Sequence, residues 1–444
     1  MIGAIRQAIG GAAIAVLAFS APQIASAQGL LRDAEIESTL DRLMQPLMTA
    51  GAVPANSVNL YIVNDSSLNA FVAGGRNVFI NSGLVMRLER ADMLQAVLAH
   101  ELGHITGGHL ARRNAALRAG QGVAAIGLLV AIAAAAAGSG SGTAAAVAGS
   151  QQLAQRGILA HSRSEESGAD QAAIGYLERA GIDPGAMLDV LEIFRGQQAL
   201  AIGRADPYVL THPLSQERIR LLEGRAATSP AREAEVPDDI AYWYARTRAK
   251  FTGFLSSTRT TFREYPEEDT SEPALLARAI AYARVPDLSR ANETLDALIA
   301  RRPNDAFYHE LKGELLLETN QAASAVGPYR RAVALAPNEP LILSGLGRAL
   351  LAQNSAEADR EALTILERAR GLDSADPASL RGLATAYHRA DQPGNASLVT
   401  AERYALLGRF EDAEPHARRA EALLPNGSPG WLRAQDILAV AERR

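Results

Sequence analysis

Two histidines one helical turn apart, with a glutamate beside the first, constrain this chain more than any other feature. The segment His100–His104 reads His-Glu-Leu-Gly-His and follows an apolar run that begins at Val97, which predicts a partly buried helix. On a helix, residues i and i+4 share a face, with Cβ atoms about 5–6 Å apart. Two imidazoles in this arrangement can bind one Zn²⁺ at about 2.0–2.1 Å. Glu101 lies next to them, where it can accept a proton from water.

A third ligand for the metal must come from another part of the chain. In one common zinc pattern it is a histidine six residues after the second one, but that position is Leu110. His109 lies one residue away from it, so this pattern is rejected. We expect His109 and His161 to be structural or surface residues. The other standard solution is a glutamate from a later helix.

Two carboxylates in a later predicted helix, Glu165–Arg179, fit that solution. Glu166 and Asp170 lie four residues apart and therefore share a face of the helix. A ligating carboxylate, with a second carboxylate that orients a ligand histidine, is typical of such sites. By residue type alone, Glu165 is an alternative ligand.

Composition excludes several classes of protein and site. The 444 residues are enough for two or three domains with a sizeable core. The net charge of −5 argues against nucleic acid as the main partner. The chain contains no cysteine, which excludes disulfides, thiolate zinc sites, cysteine nucleophiles and a lipoprotein anchor.

Residues 1–27 have the layout of a cleavable secretory signal peptide. Arg6 is the only charge, Ala8–Phe19 is apolar, and Ala25–Ala27 forms a small-x-small cleavage site. The apolar run is too short to span a bilayer about 30 Å thick. The leader and the composition together predict the periplasm of a Gram-negative bacterium.

A second apolar stretch, Ala119–Gln155, has no charged residue and consists mainly of alanine and glycine. A transmembrane helix would need about 20 strongly apolar residues, so the weak hydropathy argues against one. A buried helical hairpin and a mobile lid near the site both fit the composition. A lid that faces the membrane would give the protein a peripheral membrane contact.

The chain up to about residue 225 has an α+β pattern. An amphipathic helix is predicted over Asp33–Thr49. Three β-rich runs follow, separated by turn residues, and predict a small antiparallel meander: Val58–Val63, Ala70–Ala73 and Asn77–Ile80. Predicted helices complete this part of the chain. Residues 226–272 are predicted to form a linker with a bridging helix.

Residues 273–444 are helical and repetitive. The segment Arg302–Asp305 (Arg-Pro-Asn-Asp) recurs as Ala336–Glu339 (Ala-Pro-Asn-Glu), 34 residues later. This period and the alternation of small and large residues resemble tetratricopeptide repeats. Such repeats stack into an all-α superhelix whose concave face commonly holds a peptide or a partner protein.

The order of motifs resembles that of one zinc metallopeptidase family. His100–His104 is followed by Ser-Arg-x-x-Glu-x-x-x-Asp at 162–170, Ala-Gly-Ile-Asp-Pro at 180–184 and Thr-His-Pro at 211–213. The family is that of the CAAX prenyl protease and the HtpX heat-shock membrane protease. With a signal peptide in front and repeats behind, the chain resembles its periplasmic branch, the β-barrel assembly-enhancing proteases.

The resemblance implies a gluzincin-type α+β domain over residues 28–225 that holds one Zn²⁺ ion. It assigns the zinc ligands to His100, His104 and Glu166. It makes Glu101 the general base and puts Asp170 in contact with a ligand. For His212 three roles remain open: it stabilises the oxyanion, ligates zinc in a closed resting state, or packs in a loop stiffened by proline. Arg218 either pairs with a carboxylate near the site or simply begins a helix.

The function that the resemblance implies is a periplasmic endopeptidase acting on misfolded or misassembled outer-membrane proteins. An extended substrate would pair with the edge strand near Asn69–Val72. The repeats would recruit unfolded clients or the outer-membrane protein assembly machinery. The alternative is a chaperone or assembly scaffold whose protease activity is latent or autoinhibited.

Overall fold

The computed structural model describes residues 29–112, 163–200, 212, 215–285 and 287–442. The predicted leader, residues 1–27, and the Ala119–Gln155 stretch lie outside these ranges. Among the helices that are described, none is long and apolar enough to cross a membrane.

The first part of the chain combines a small sheet with helices that pack around one core. Its elements are β1 (Leu30–Leu31), α1 (Ala34–Ala50), β2 (Asn59–Val63), β3 (Ala70–Ala73), β4 (Asn77–Asn81), α2 (Ser82–Arg87), α3 (Ala91–Thr106), α4 (Arg163–Ala180), α5 (Gly185–Leu200) and α6 (Gln216–Ala227). Helix α1 begins where the side chain of Asp33 accepts a hydrogen bond from the backbone N–H of Ile36. Leu94, Leu98 and Leu102 of α3 are completely buried, and such a leucine contributes about 1.5–3 kcal/mol. Helix α3 is therefore the central helix of this core.

The sheet is mixed, so the predicted antiparallel meander is wrong. The strand order is β1-β2-β4-β3, with β2 parallel to β4 and β3 antiparallel to β4. Strand β4 lies inside the sheet because Val78 and Ile80 are fully buried, whereas most of β3 is half-buried. A continuous apolar run of this kind is typical of a strand between two neighbours. Gly74 and Gly75, with φ of +59° and +97°, make the tight turn that returns the chain from β3 to β4.

Helix α7 (Asp238–Leu255) and the short α8 (Thr258–Glu264) occupy the region predicted as a linker with a bridging helix. The hydroxyl of Tyr244 donates hydrogen bonds to the backbone oxygens of Val85 and Leu88, each at 3.1 Å. Tyr244 and Phe251 belong to the same buried core as α1 and α3. Helix α7 is thus packed into the first part of the chain along much of its length.

The second part of the chain is a series of helices in which successive members pack together. These are α9 (Glu272–Arg284), α10 (Leu288–Arg301), α11 (Ala306–Glu318), α12 (Ala322–Leu335), α13 (Pro340–Leu351), α14 (Ala356–Leu372), α15 (Pro377–Arg389), α16 (Pro393–Leu406), α17 (Phe410–Leu423) and α18 (Pro429–Ala441). The side chains of Asp305, Glu339 and Asp376 cap α11, α13 and α15, which accounts for the acidic residue at the start of each repeat.

Packing around Tyr329 explains the alternation of small and large residues. A Cβ atom on Gly313 would lie 2.6 Å from the Tyr329 ring, and one on Gly345 would lie 2.3 Å from it. Three consecutive helices, α11 to α13, can therefore meet at this ring only because two positions lack a side chain. These are tetratricopeptide-like helix pairs, and their superhelical curvature stays a prediction.

Charged side chains join the two parts of the chain. Arg246 on α7 pairs with Glu35 at 2.6 Å and with Asp305 at 2.5 Å. Lys250, one turn later on the same helix, pairs with Asp33 at 2.7 Å. Glu35, Arg246 and Lys250 are completely buried. The start of α1, the middle of α7 and the start of α11 are thus held together by ion pairs without access to solvent.

Candidate metal centre

Helix α3 brings His100, Glu101 and His104 into the interior, where each is at most 2% exposed. Gly103 lies between them, at the point where α4 crosses. A Cβ atom on Gly103 would lie 2.7 Å from the backbone oxygen of Ala169 on α4. The glycine of the motif therefore lets α4 approach the backbone of α3, which brings the side chains of α4 within reach of the histidines.

Helix α4 contributes two carboxylates, Glu166 and Asp170, to the same side of the site. Both are buried. Oxygen atoms of Glu166 lie 3.5 Å from Nε2 of His100 and 3.4 Å from Nε2 of His104. The two Nε2 atoms are 3.1 Å apart. Glu166 therefore lies where the pattern of the sequence places the third ligand.

His212 completes the group as a fourth member. Its Nδ1 atom lies 3.2 Å from Nε2 of His100 and 3.2 Å from Oε1 of Glu166. Each of the four residues offers one ligand atom, and all these atoms lie within 4.8 Å of one another. His212 therefore faces the other three ligand atoms and does not merely pack in its loop.

Most of the separations between these atoms are close to the edges of a tetrahedron around a metal ion. A tetrahedron with metal–ligand distances of about 2.0–2.1 Å has edges of about 3.3–3.4 Å. The pairs given above are separated by 3.1 to 3.5 Å. Three imidazole nitrogens and one carboxylate oxygen make up a donor set that first-row transition metals favour. The four side chains therefore lie close enough together to hold one metal ion.

Asp170 and Arg218 contact the candidate ligands His100 and Glu166. Oδ1 of Asp170 lies 3.0 Å from Nδ1 of His100. Nε of Arg218 donates to Oδ2 of Asp170 at 2.7 Å, and another nitrogen of the same guanidinium lies 2.8 Å from Oε2 of Glu166. Arg218 lies in the first turn of α6, where its backbone N–H donates to the side chain of Ser215, the residue before the helix. It also pairs with both carboxylates, so the two readings of Arg218 hold together.

The pKa values reflect this arrangement. Burial lowers the pKa of His100, but hydrogen bonds with Asp170 and Glu166 outweigh it and raise that pKa to about 10. Burial lowers the pKa of His104 to about 2, although Glu166 acts in the opposite direction. Burial raises the pKa of Glu166, but hydrogen bonds with the three histidines hold it far below its usual range. Glu166 is thus ionised and His104 neutral, whereas His100 must lose a proton when a metal ion binds.

Glu101 lies beside the ligands and is not one of them. One of its oxygens is 3.4 Å from Nε2 of His212. Burial raises its pKa, while His212, His100 and a backbone hydrogen bond from Val72 act in the opposite direction. A carboxylate with a raised pKa is suited to proton transfer near neutral pH. Because Val72 belongs to β3, the edge strand also borders the site.

The structure also places two further residues that the sequence analysis considered. His109, which the sequence analysis takes as structural or surface, lies with its Nδ1 atom 2.7 Å from Nδ1 of His104. Glu165, the alternative ligand, is outside the group of ligand atoms and lies 4.0 Å from Arg112. His161 lies outside the described residues. The spacing of His109, five residues after His104, could have indicated a contact only if the turn after α3 had been foreseen.

Comparisons with known proteins agree with this geometry. Residues 31–226 match the model of Peptidase family M48. The "Beta-barrel assembly-enhancing protease" of Escherichia coli (strain K12) is 27% identical over 400 residues, which cover 88% of this chain and 80% of that protein. The "Mitochondrial metalloendopeptidase OMA1" of Schizosaccharomyces pombe is 30% identical over 185 residues, covering 41% of this chain and 51% of that protein.

Among solved structures, that of yeast Tom70 aligns with a TM-score of 0.33 and 15% identity, over 68% of this chain and 61% of that chain. This likeness is too weak to carry an argument. The family match covers α1 to α6 and thus every residue of the metal centre. This chain is therefore a metalloprotease, and its residues 31–226 match the model of peptidase family M48.

Proposed function

We propose that this chain is a secreted zinc-dependent endopeptidase that cleaves misfolded or misassembled outer-membrane proteins in the periplasm. The observation that carries the proposal is the buried cluster of His100, His104, Glu166 and His212, whose ligand atoms lie within 4.8 Å of one another, with the carboxylate of Glu101 beside it. The predicted signal peptide supports the location.

Zinc is the metal that best matches these ligands. Neutral imidazole and carboxylate in a four-coordinate tetrahedral site are typical of zinc, whereas magnesium and calcium prefer six or more oxygen ligands. When bound, zinc lowers the pKa of a water molecule to about 7 and polarises a carbonyl group. Glu166 and the neutral His104 need no loss of a proton to bind it.

Glu101 is the residue that moves the proton. Its carboxylate accepts a proton from the attacking water and passes it to the leaving amine of the cleaved peptide bond. Because its pKa is raised by burial, the protonated form is reached more easily than for an exposed glutamate. Asp170 keeps the ring of His100 in one orientation throughout, and Arg218 keeps Asp170 in place.

The position of His212 supports the interpretation that it closes the site at rest, rather than the interpretation that it stabilises the oxyanion. With Nδ1 of His212 as the fourth ligand atom, all four corners of the tetrahedron are taken by protein, whereas catalytic zinc sites keep one position open. In addition, Nε2 of His212 contacts the carboxylate of Glu101, the proposed base. This observation supports the second candidate function, a scaffold or chaperone whose protease activity is autoinhibited until His212 moves away.

Substrate binding by β-augmentation is supported by the position of β3. Within the described residues this strand pairs with β4 on one side only and lies at the edge of the sheet. The strand packs against α3, the helix that carries Glu101. An extended substrate that pairs with the free edge would pass the base, and pairing through the backbone gives weak sequence preference. A weak sequence preference suits a protease that acts on unfolded chains.

The repeats would choose the client or dock the enzyme on an assembly complex. The similarity to proteins named for β-barrel assembly extends over most of this chain, repeats included. Stacked helix pairs commonly bind polypeptide segments. We therefore expect a protein partner on the concave face, with the outer-membrane protein assembly machinery as the first candidate. A separate expectation is that the segment 119–155 makes a peripheral contact with the membrane.

Metal analysis and chelation test the proposal. Purified protein without residues 1–27 should contain about one zinc ion per chain, and a variant with His100→Ala and His104→Ala should contain none. Degradation of unfolded casein should stop on chelation and return when zinc is added. If the parent binds zinc but does not cleave casein, and His212→Ala does cleave it, the autoinhibited scaffold is favoured. The absence of bound zinc in the parent would refute both candidates.

A further inference from the structure

His109 lies directly behind the ligand His104, at the turn that ends α3. Its Nδ1 atom is 2.7 Å from Nδ1 of His104, and the residue is 5% exposed. The Nδ1 atom of His104 is on the opposite side of the ring from Nε2, the atom that faces Glu166. His109 therefore contacts His104 from outside the group of four ligand atoms.

The turn between the two histidines is shaped to bring them together. Gly108 has a φ of +64°, which a glycine adopts without strain. A Cβ atom on Gly107 would lie 2.5 Å from Nε2 of His109, so only a glycine leaves room for the ring. A guanidinium nitrogen of Arg112 donates a hydrogen bond to the backbone oxygen of Gly107 and holds the turn.

Metal binding by His104 would determine which ring nitrogens of His104 and His109 carry a proton. If Nε2 of His104 binds a metal, its proton must be on Nδ1, because a neutral imidazole carries one proton. That N–H then donates to Nδ1 of His109, which must be the unprotonated nitrogen of its own ring. The pair is therefore complete only when His109 is neutral and acts as the acceptor.

We propose that His109 is a positioning residue, which fixes the tautomer and the ring orientation of His104 for metal binding. The inference rests on the proposed metal centre. His100 has the carboxylate of Asp170 in the corresponding place, so each of the two ligands on α3 has its own outer partner. Residues that orient a ligand histidine typically change metal affinity 10- to 100-fold when they are removed.

The test measures zinc affinity of the metal-free full chain by competition with a chromogenic chelator. His109→Leu fills the space but has no acceptor, and it should weaken zinc binding about 10- to 100-fold. His109→Asn keeps an acceptor oxygen near the position of Nδ1 and should bind within about threefold of the parent. His388→Leu, a histidine exposed on α15, is the matched control and should bind as the parent does.

Gly107→Ala provides a second variant that leaves both histidines intact. Its methyl group would displace the His109 ring, so it should weaken zinc binding as His109→Leu does. The visible absorption spectrum of bound Co²⁺ should change in His109→Leu and resemble that of the parent in His109→Asn. The Tm values of the metal-free variants should equal that of the metal-free parent.

Equal zinc affinity of the parent and His109→Leu would overturn this inference, and so would equal losses in His109→Leu and His109→Asn. Both outcomes leave zinc binding by the parent intact and therefore do not touch the proposed function. Failure of the parent to bind zinc would instead refute the metal centre itself.

Discussion

Asp170 accepts hydrogen bonds from Arg218 while its Oδ1 atom lies 3.0 Å from the outer nitrogen of His100. The same guanidinium reaches Glu166 at 2.8 Å. One arginine therefore supports a ligand directly and a second ligand through an aspartate. This relationship connects α6, which carries Arg218, to the two helices that carry the ligands.

Replacing Arg218 tests that relationship. Arg218→Leu would remove a buried positive charge that pairs with both Glu166 and Asp170, and breaking such a buried pair typically costs about 3–5 kcal/mol. We expect the free energy of unfolding of the metal-free protein to fall by about this amount, measured by urea denaturation. Zinc should recover part of the loss, because it compensates Glu166. Arg225→Leu, an exposed position on the same helix, is the control; equal stability of both variants would refute the supporting role.

Replacing His212 tests the closed state. If His212 occupies the fourth ligand position at rest, His212→Ala should raise the rate of casein cleavage and lower zinc affinity. A tenfold increase in rate would correspond to a closed state favoured by about 1.4 kcal/mol. A loss of cleavage in His212→Ala, with zinc still bound, would instead assign His212 to oxyanion stabilisation.

Much of the site could be predicted because its residues lie on two helices with i, i+4 spacing. That spacing brings His100 to His104 and Glu166 to Asp170 on helical faces, and the structure brings all four together. The contact of His109 was missed because it depends on the turn after α3, where Gly108 has a positive φ. Periodicity carries no information about such a turn.

The sheet shows the same limit. The three predicted strands agree with β2, β3 and β4 to within about one residue, since β-branched residues and turn residues mark them locally. Their order was wrong because pairing is decided by burial of β4 between two neighbours, which is a property of the whole core. The helical repeats were easier to predict, because acidic capping residues recur at similar separations, from Asp305 to Glu339 and on to Asp376.

Lys250 should be essential for the junction between the two parts of the chain. It is completely buried, and its ion pairs raise its pKa well above the usual range although burial alone would lower it. Lys250→Met leaves Asp33 and Glu35 without this partner and should lower the unfolding free energy by about 3–5 kcal/mol. Thermal unfolding checks this, with the exposed Arg418→Met as a control that should leave Tm unchanged. Equal Tm values for the two variants would contradict the role of the buried ion pairs.

Glu339 should make stability depend on pH. Burial raises its pKa to about 7, with a further contribution from Glu37 of α1. Between pH 4.5 and 7 the unfolded carboxyl is ionised and the folded one is not, so unfolding releases a proton and stability falls as pH rises. The stabilising effect is complete below pH 4.5 and lost above pH 7.

Glu339→Gln should therefore stabilise the protein at pH 8, by about 1–2 kcal/mol after allowance for solvent screening, and leave it unchanged at pH 4.5. Glutamine keeps the oxygen that accepts from the backbone of Leu341. Thermal unfolding at the two pH values measures the difference. The exposed Glu357→Gln is the control, and an equal gain at both pH values would contradict the prediction.

The central claim is that Glu101 is the base of a zinc endopeptidase. The most direct test compares casein degradation by the zinc-loaded chain, without residues 1–27, with that by Glu101→Gln, in the parent and in the His212→Ala background. Glutamine leaves the four ligand residues in place but cannot accept the proton. We predict equal zinc content, cleavage with Glu101 present and none with Glu101→Gln. Undiminished cleavage by a zinc-loaded Glu101→Gln variant would contradict the account.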